Sequence, residues 1–277
     1  MASLVSYKTD AVFHYLDTIE YDRDFQMHYH DIYELYYFVD GEADYFVEGK
    51  QYRLKPDSLL LLAPHSIHGV RVNSSERYKR YTIHFDAKLI EPQHRAFLLS
   101  VFSNEENSGP REVCYSDLRK FDLYPFLDAL TNCNNLPPNL FENLCPFYIE
   151  ALLAKLIEIH HSFQTPAENA PLTTKVVPII NYINQNLTAY MTLDTLCEQF
   201  YISKIHLNRL FHNYVGTTPF EYITYRRIAL AQHLLKKGMP AKDVAKWIGY
   251  HDYSAFFRTY RKITGHTPTQ EITTTQE

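Results

Sequence analysis

His28, His30 and Glu34 fall close together, followed by Gly41, Pro64 and His68. Neutral imidazoles beside a carboxylate form a workable ligand set for zinc, iron, manganese or nickel. The same groups can instead line a pocket for an organic molecule, or bond one another as a buried network. Positions 28, 30, 34, 36 and 38 share parity. An unbroken strand would therefore set His28, His30, Glu34, Tyr36 and Phe38 on one face, with His68 arriving from a facing strand. His65 and His84 read as a loop histidine and a plain strand residue.

These residues need a scaffold of short strands, and the surrounding sequence supplies one. Glu34–Val39 and Asp44–Val47 flank the turn Asp40-Gly41-Glu42, Glu48-Gly49-Lys50 makes the next turn, and Lys55-Pro56-Asp57 precedes Ser58–Ala63. Tyr78–Phe85 closes a series whose spacing fits a small barrel or sandwich. The period then changes. Leu118–Leu130 reads as a helix. Phe141–Phe163 reads as a longer one, with Phe141, Leu144, Tyr148, Ala151 or Leu152, Leu156, Ile159 and Phe163 at steps of three and four. That stripe must be buried on its own barrel or on a second subunit.

The charge is uneven along the chain. The whole carries −5, yet residues 1–171 hold 15 Lys+Arg against 25 Asp+Glu, while residues 172–277 hold 12 against 7. A polyanion would meet only the second part. Between them Ser162–Lys175, with two prolines and few large apolar groups, reads as a linker. The longest apolar runs fall far short of the ~20 residues of a membrane span. Met1–Asp10 shows no export signal. Four cysteines without CxxC spacing read as free thiols. A cytoplasmic protein is the expectation.

The last hundred residues read as short helices with sharp stops: Val176–Asn186, Leu193–Phe200, Lys204–Tyr214, Pro219–Leu235, Ala241–Ile248 and Tyr253–Ile263. Thr192, Ser203 and Asp252 are N-caps, and Gly216, Gly249 and Gly265 are stops. The pattern is helix-turn-helix twice over, joined by a longer helix. Leu193, Leu196, Cys197 and Phe200 can support Leu207, Leu210, Phe211 and Tyr214; Val244, Ala245 and Ile248 can support Phe256 and Tyr260. Arg227 falls near the stripe Phe220, Ile223, Leu230 and Leu234, and needs a partner such as Asp194 or Asp243. Trp247 reads as core.

His28-x-His30-x3-Glu34-x6-Gly41 resembles the first cupin motif, and Pro64-x3-His68 a partial second one. The segments from Ser203 to Pro219 and from Gly249 to Pro268, with Tyr222-x4-Arg227-x3-Ala231 between them, resemble the AraC/XylS-type DNA-binding domain. One departure is Tyr201, where that family often places glycine. The resemblance implies an α+β chain: a cupin-like effector-binding and dimerisation domain over 1–163 (barrel about 11–86, helices about 87–163), a linker over 164–175, and an all-α domain over 176–277 with two helix-turn-helix units.

It also implies a transcription regulator and no enzyme. Ile205, Asn208 and Arg209 on one recognition helix, and Tyr253, Ser254, Phe257 and Arg258 on the other, would face bases in successive major-groove segments of double-stranded DNA. Arginine suits guanine, asparagine suits adenine, and apolar groups meet the thymine methyl. Lys204, His206, Arg261 and Lys262 would contact phosphates. His28, His30, Glu34, Tyr36, Phe38 and His68 would line the pocket of a small-molecule effector, a sugar by family resemblance, with a metal on His28, His30, Glu34 and His68 as the lesser alternative. A homodimer through the 141–163 helix follows, as does RNA polymerase as partner of an activator. The rival reading, a metal-dependent cupin enzyme, leaves the basic helical part unexplained.

Overall fold

The structure is a computed structural model describing residues 11–19, 27–73, 77–102, 113–162 and 175–273. These form two compact units on either side of residues 163–174. Of the expected linker Ser162–Lys175, only the two end residues lie among the described residues, and Phe163 lies outside them.

Among the described residues the first unit has eight strands: β1 (Ala11–Thr18), β2 (Tyr33–Asp40), β3 (Ala43–Val47), β4 (Lys50–Arg53), β5 (Ser58–Leu62), β6 (His68–Val72), β7 (Tyr78–Phe85) and β8 (Val113–Tyr115). They make two antiparallel sheets, ordered β1-β7-β2-β5-β8 and β4-β3-β6. The larger sheet is buried on both faces, which is why β2 and β5 are nearly continuous apolar runs. Its even-numbered residues Tyr36, Phe38, Leu60, Leu62 and Tyr78 meet Ala43, Tyr45 and Val47 of the smaller sheet in one core. Its odd-numbered residues Leu35, Tyr37, Leu59, Leu61, Tyr81 and Ile83 meet the helices in another.

Those helices are α1 (Pro92–Leu98), α2 (Tyr124–Cys133) and α3 (Pro138–Ser162). The helix expected over Leu118–Leu130 is broken: Asp122 takes φ 50°, separating the turn Leu118–Phe121 from α2. The stretch expected to be helical after residue 87 also returns one strand, β8, to the sheet edge. The buried stripe of α3 is Cys145, Ile149, Leu152, Leu156 and Ile159, and it packs within its own unit. Tyr148, expected in that stripe, is exposed. The steps are helical, but the true stripe passes through Ile149 one residue along.

The second unit holds α4 (Val177–Gln185), α5 (Leu193–Phe200), α6 (Lys204–Tyr214), α7 (Pro219–Lys236), α8 (Ala241–Trp247), α9 (Tyr253–Thr264) and α10 (Pro268–Thr273). Every expected helix is present within one or two residues, and α10 is an addition. The caps are as read: Thr192 accepts from Thr195 N–H, Ser203 from His206 N–H, and Asp252 from Ser254 and Ala255 N–H. Thr218 and Glu221 form a reciprocal capping box at the start of α7, with Pro219 at its first position. Val244, Ala245 and Ile248 pack on Phe256 and Tyr260. No helix among the described residues is long and apolar enough to cross a membrane.

Candidate functional site

Glu34 sits on β2 opposite His84 of β7, in the same register, so both side chains enter the space between the sheets. His28 lies outside any strand but exchanges both backbone hydrogen bonds with His68, at 2.8 and 2.9 Å. That pairing puts their two side chains on one face. His30 occupies the corner between His28 and β2. The unbroken strand expected from 28 to 38 is therefore absent; the histidines converge because a bridge and a corner bring them together.

One oxygen is the hub. Glu34 Oε2 lies 2.9 Å from His30 Nε2, 2.9 Å from His68 Nε2 and 3.0 Å from His84 Nε2. The Tyr45 hydroxyl donates to Glu34 Oε1 at 3.0 Å. His30, Glu34 and His68 are buried. His28, His30, Glu34 and His68 each offer a ligand atom within 4.8 Å of one another. Burial alone would raise the Glu34 pKa, but the charges of His68 and His84 and the bond from His30 hold its carboxyl well below the usual range. Burial, and then the neighbouring His68, push His28 down to about 3.

Tyr36 and Phe38 are buried in the same interior. Tyr36 bonds the Tyr78 hydroxyl, and the Arg80 guanidinium lies 5.7 Å from the Tyr36 ring centre. Sequence reading missed His84, Tyr45 and Arg80. The parity of 80, 82 and 84 along β7 would have found His84 once the Glu34–His84 register was known.

The second unit presents a different surface. On α6, Ile205 is 83% exposed and Arg209 is exposed, while Asn208 is partly buried with its amide on Lys204 O at 2.9 Å. On α9, Ser254 and Arg258 are exposed, and Tyr253 and Phe257 half-buried. Neither Arg209 nor Arg258 pairs with a carboxylate among the described residues; Arg209 Nη2 lies 3.2 Å from His206 Nδ1. Arg261 and Lys262 are exposed at the end of α9. Lys204 is exposed and ion-paired to Asp194 at 2.6 Å, so a phosphate would have to compete for it.

Three expectations are corrected here. Arg227 takes neither Asp194 nor Asp243: it donates to Leu187 O at 2.9 Å and Ala189 O at 2.7 Å, carbonyls just past the C-terminus of α4, where a cation is favoured. Trp247 is 60% exposed, because the short α8 buries Val244, Ala245 and Ile248 on its other side. Phe220 is exposed, the buried stripe of α7 running instead through Tyr222, Ile223, Ile228, Ala231 and Leu235. Tyr201, standing where glycine was expected, takes the left-handed conformation itself, at φ 52°.

A two-sheet domain with a polar interior, carried in one chain with two helix-turn-helix units, is the make-up of a ligand-controlled DNA-binding protein. Residues 12–105 match the family model of the AraC-like ligand binding domain, and residues 196–272 that of a helix-turn-helix domain; together they span well over half of the chain. The uncharacterized HTH-type transcriptional regulator YfiF of Bacillus subtilis is 24% identical over 250 residues, 87% of this chain and 77% of that protein. The arabinose operon regulatory protein of Salmonella typhimurium is 23% identical over 254 residues, 84% of this chain and 80% of that one. The probable transcriptional regulator LumQ of Photobacterium leiognathi is 29% identical over 96 residues, a partial match covering 34% of this chain and 39% of its own. Among solved structures, ToxT from Vibrio cholerae aligns along 96% of this chain and 98% of its own, at 13% identity and a TM-score of 0.36. The chain belongs to the AraC family of DNA-binding transcriptional regulators.

Proposed function

We propose that this regulator reads a specific operator through α6 and α9, under the control of a small polar molecule held between the two sheets. The observation that carries the reading is the pair of N-capped helices, each presenting an arginine with no acidic partner among the described residues. Arg209 and Arg258 read guanine. Asn208 reads adenine on releasing Lys204 O, and Ile205, Tyr253, Ser254 and Phe257 complete the base-facing set. Arg261, Lys262, His206 and Lys204 hold phosphates. The effector sits among His28, His30, Glu34, Tyr36, Phe38 and His68; the tyrosine hydroxyls of that interior suit a hydroxyl-bearing molecule such as a sugar. The chain works in the cytoplasm, and RNA polymerase is its partner where it activates.

A second copy covers the outer face of α3. Leu140, Phe147, Ala151 and Ala154 recur there at steps of seven, four and three, and Phe147 is 70% exposed. This is a different face from the stripe that packs within the unit. Sedimentation should give a dimer for the wild type and a monomer for Phe147→Glu.

A mobility shift on the DNA beside its own gene, repeated across a salt series, tests the regulator reading. Arg209→Ala and Arg258→Ala should each weaken specific binding by about 1–3 kcal/mol, while Arg261→Ala weakens all sequences alike and lowers the salt slope by about one. An affinity flat in salt, or equal for every sequence, would refute it.

A further inference from the structure

Arg80 carries a charge that nothing acidic answers. It lies between Tyr78 and Thr82 on the face of β7 that looks into the space between the sheets. Opposite it in the register are Leu16 of β1 and Phe38 of β2. Every partner it has there is neutral. Nη1 donates to the Thr82 hydroxyl, the Tyr78 hydroxyl bonds the guanidinium, and the Tyr36 ring centre lies 5.7 Å away. Nε is buried with no hydrogen-bond partner, and no carboxylate pairs with Arg80 among the described residues.

The carboxylates on the strands flanking β7 are engaged elsewhere. Glu34 is held by His30, His68, His84 and Tyr45, Asp17 pairs with Arg77, and Asp40 accepts from Gly41 N–H. The rest of this face is basic. His14 stands opposite Thr82 on β1. Burial, and then the charges of Arg80 and His84, hold its imidazole below the ordinary value. Arg80 is half-buried and His14 exposed, so this end of the interior is open to solutes, whereas His30, Glu34 and His68 are closed in.

A guanidinium that is partly desolvated and bonded only to hydroxyls and a ring is stabilised most by a counter-ion. With Nη1 given to Thr82, the edge formed by Nε and Nη2 is the one along which an oxyanion docks by two parallel hydrogen bonds. We propose that the effector is an anion whose carboxylate or phosphate pairs with that edge of Arg80, while its hydroxyls meet the phenols and Thr82 of the same interior. The class is an oxyanion-bearing polyol, a sugar acid or a sugar phosphate, and not a neutral sugar. The role of the anion as effector rests on the regulator reading above; the binding of an oxyanion at Arg80 does not.

The test is a series of thermal melts of the full-length chain at constant ionic strength, with acetate, inorganic phosphate and chloride as probes. Acetate or phosphate should raise the melting temperature along a saturable curve, and chloride should not. Tighter binding of acetate identifies the effector's group as a carboxylate, and tighter binding of phosphate as a phosphate ester. The part of the rise that depends on Arg80 is the signal, because phosphate also meets the cations of α6 and α9. Arg80→Gln should abolish that part, and Arg53→Gln, at an exposed arginine of the smaller sheet, should keep it. Arg80→Lys keeps the charge but loses the paired donors, so half-saturation should need about tenfold more anion; this variant decides the matter if Arg80→Gln does not fold. No saturable rise with either anion, or a response in the folded Arg80 variant equal to that of wild type, overturns the subsite. Mobility shift of the same samples scores DNA binding separately, so anion binding without any operator complex would sink the regulator reading and leave the Arg80 subsite standing.

Discussion

Tyr201 and Gly249 both end the first helix of a helix-turn-helix unit in left-handed backbone, at φ 52° and +85°. For a tyrosine that conformation costs about 1–2 kcal/mol, and its ring, 95% exposed, recovers little by packing. Tyr201→Gly should therefore raise stability by about 1 kcal/mol in denaturant melts, without altering the fold. Gly249 has the opposite logic. A Cβ there would stand 3.1 Å from the Arg227 Nη2 and 3.3 Å from Thr188 O, so the missing side chain makes room for the guanidinium. Arg227→Ala should cost about 2–3 kcal/mol by unfolding titration, since it strips two carbonyls of a charged donor. The need of Arg227 for a partner was legible in its place near an apolar stripe. The identity of the partner was not, because carbonyls are invisible to residue-type reasoning.

At the scale of elements, caps carry testable consequences. Glu221 accepts from Thr218 N–H and from the hydroxyls of Thr217 and Thr218. Burial would raise its pKa, but the Thr218 backbone bond and the two hydroxyls bring the carboxyl below its ordinary 4.5. A folded-state pKa below the unfolded value gives stability that is present above pH 4.5 and lost as pH falls through the folded value. Acid melts of the wild type should show this loss at the start of α7, and Glu221→Gln should remove that pH dependence.

The helix thiols make a second case. Burial, and then Cys133, push Cys145 up to about 12, so Cys133 and Cys145 should resist thiol reagents in the native protein while Cys197, only partly buried, reacts. Mass spectrometry of labelled peptides reads this directly. Helix existence was legible here because caps and stops act within a few residues. The face of α3 was less so: an error of one residue in the stripe turns a helix by about a third of a turn.

For the whole molecule, the division of labour predicts separability. The second unit has its own core around Ile228, Leu235, Ile248, Phe256 and Tyr260. A fragment starting at Lys175 should fold by circular dichroism and bind operator DNA more weakly than the full chain, since it lacks the α3 face proposed above to pair two copies. By itself, the amino-acid order determined the two-part organisation, the charge division, nearly every helix boundary after residue 175 and the identity of His28, His30, Glu34 and His68 as a group. Those signals are local, since caps, turns and strand alternation span two to seven residues. Only the tertiary structure decided that His84 reaches Glu34 across 50 residues of chain, that Arg227 answers to Leu187 and Ala189, and that Trp247 faces outward. Each depends on strand register or on which side of a helix finds a neighbour, and both are set by the packing of segments far apart in the chain.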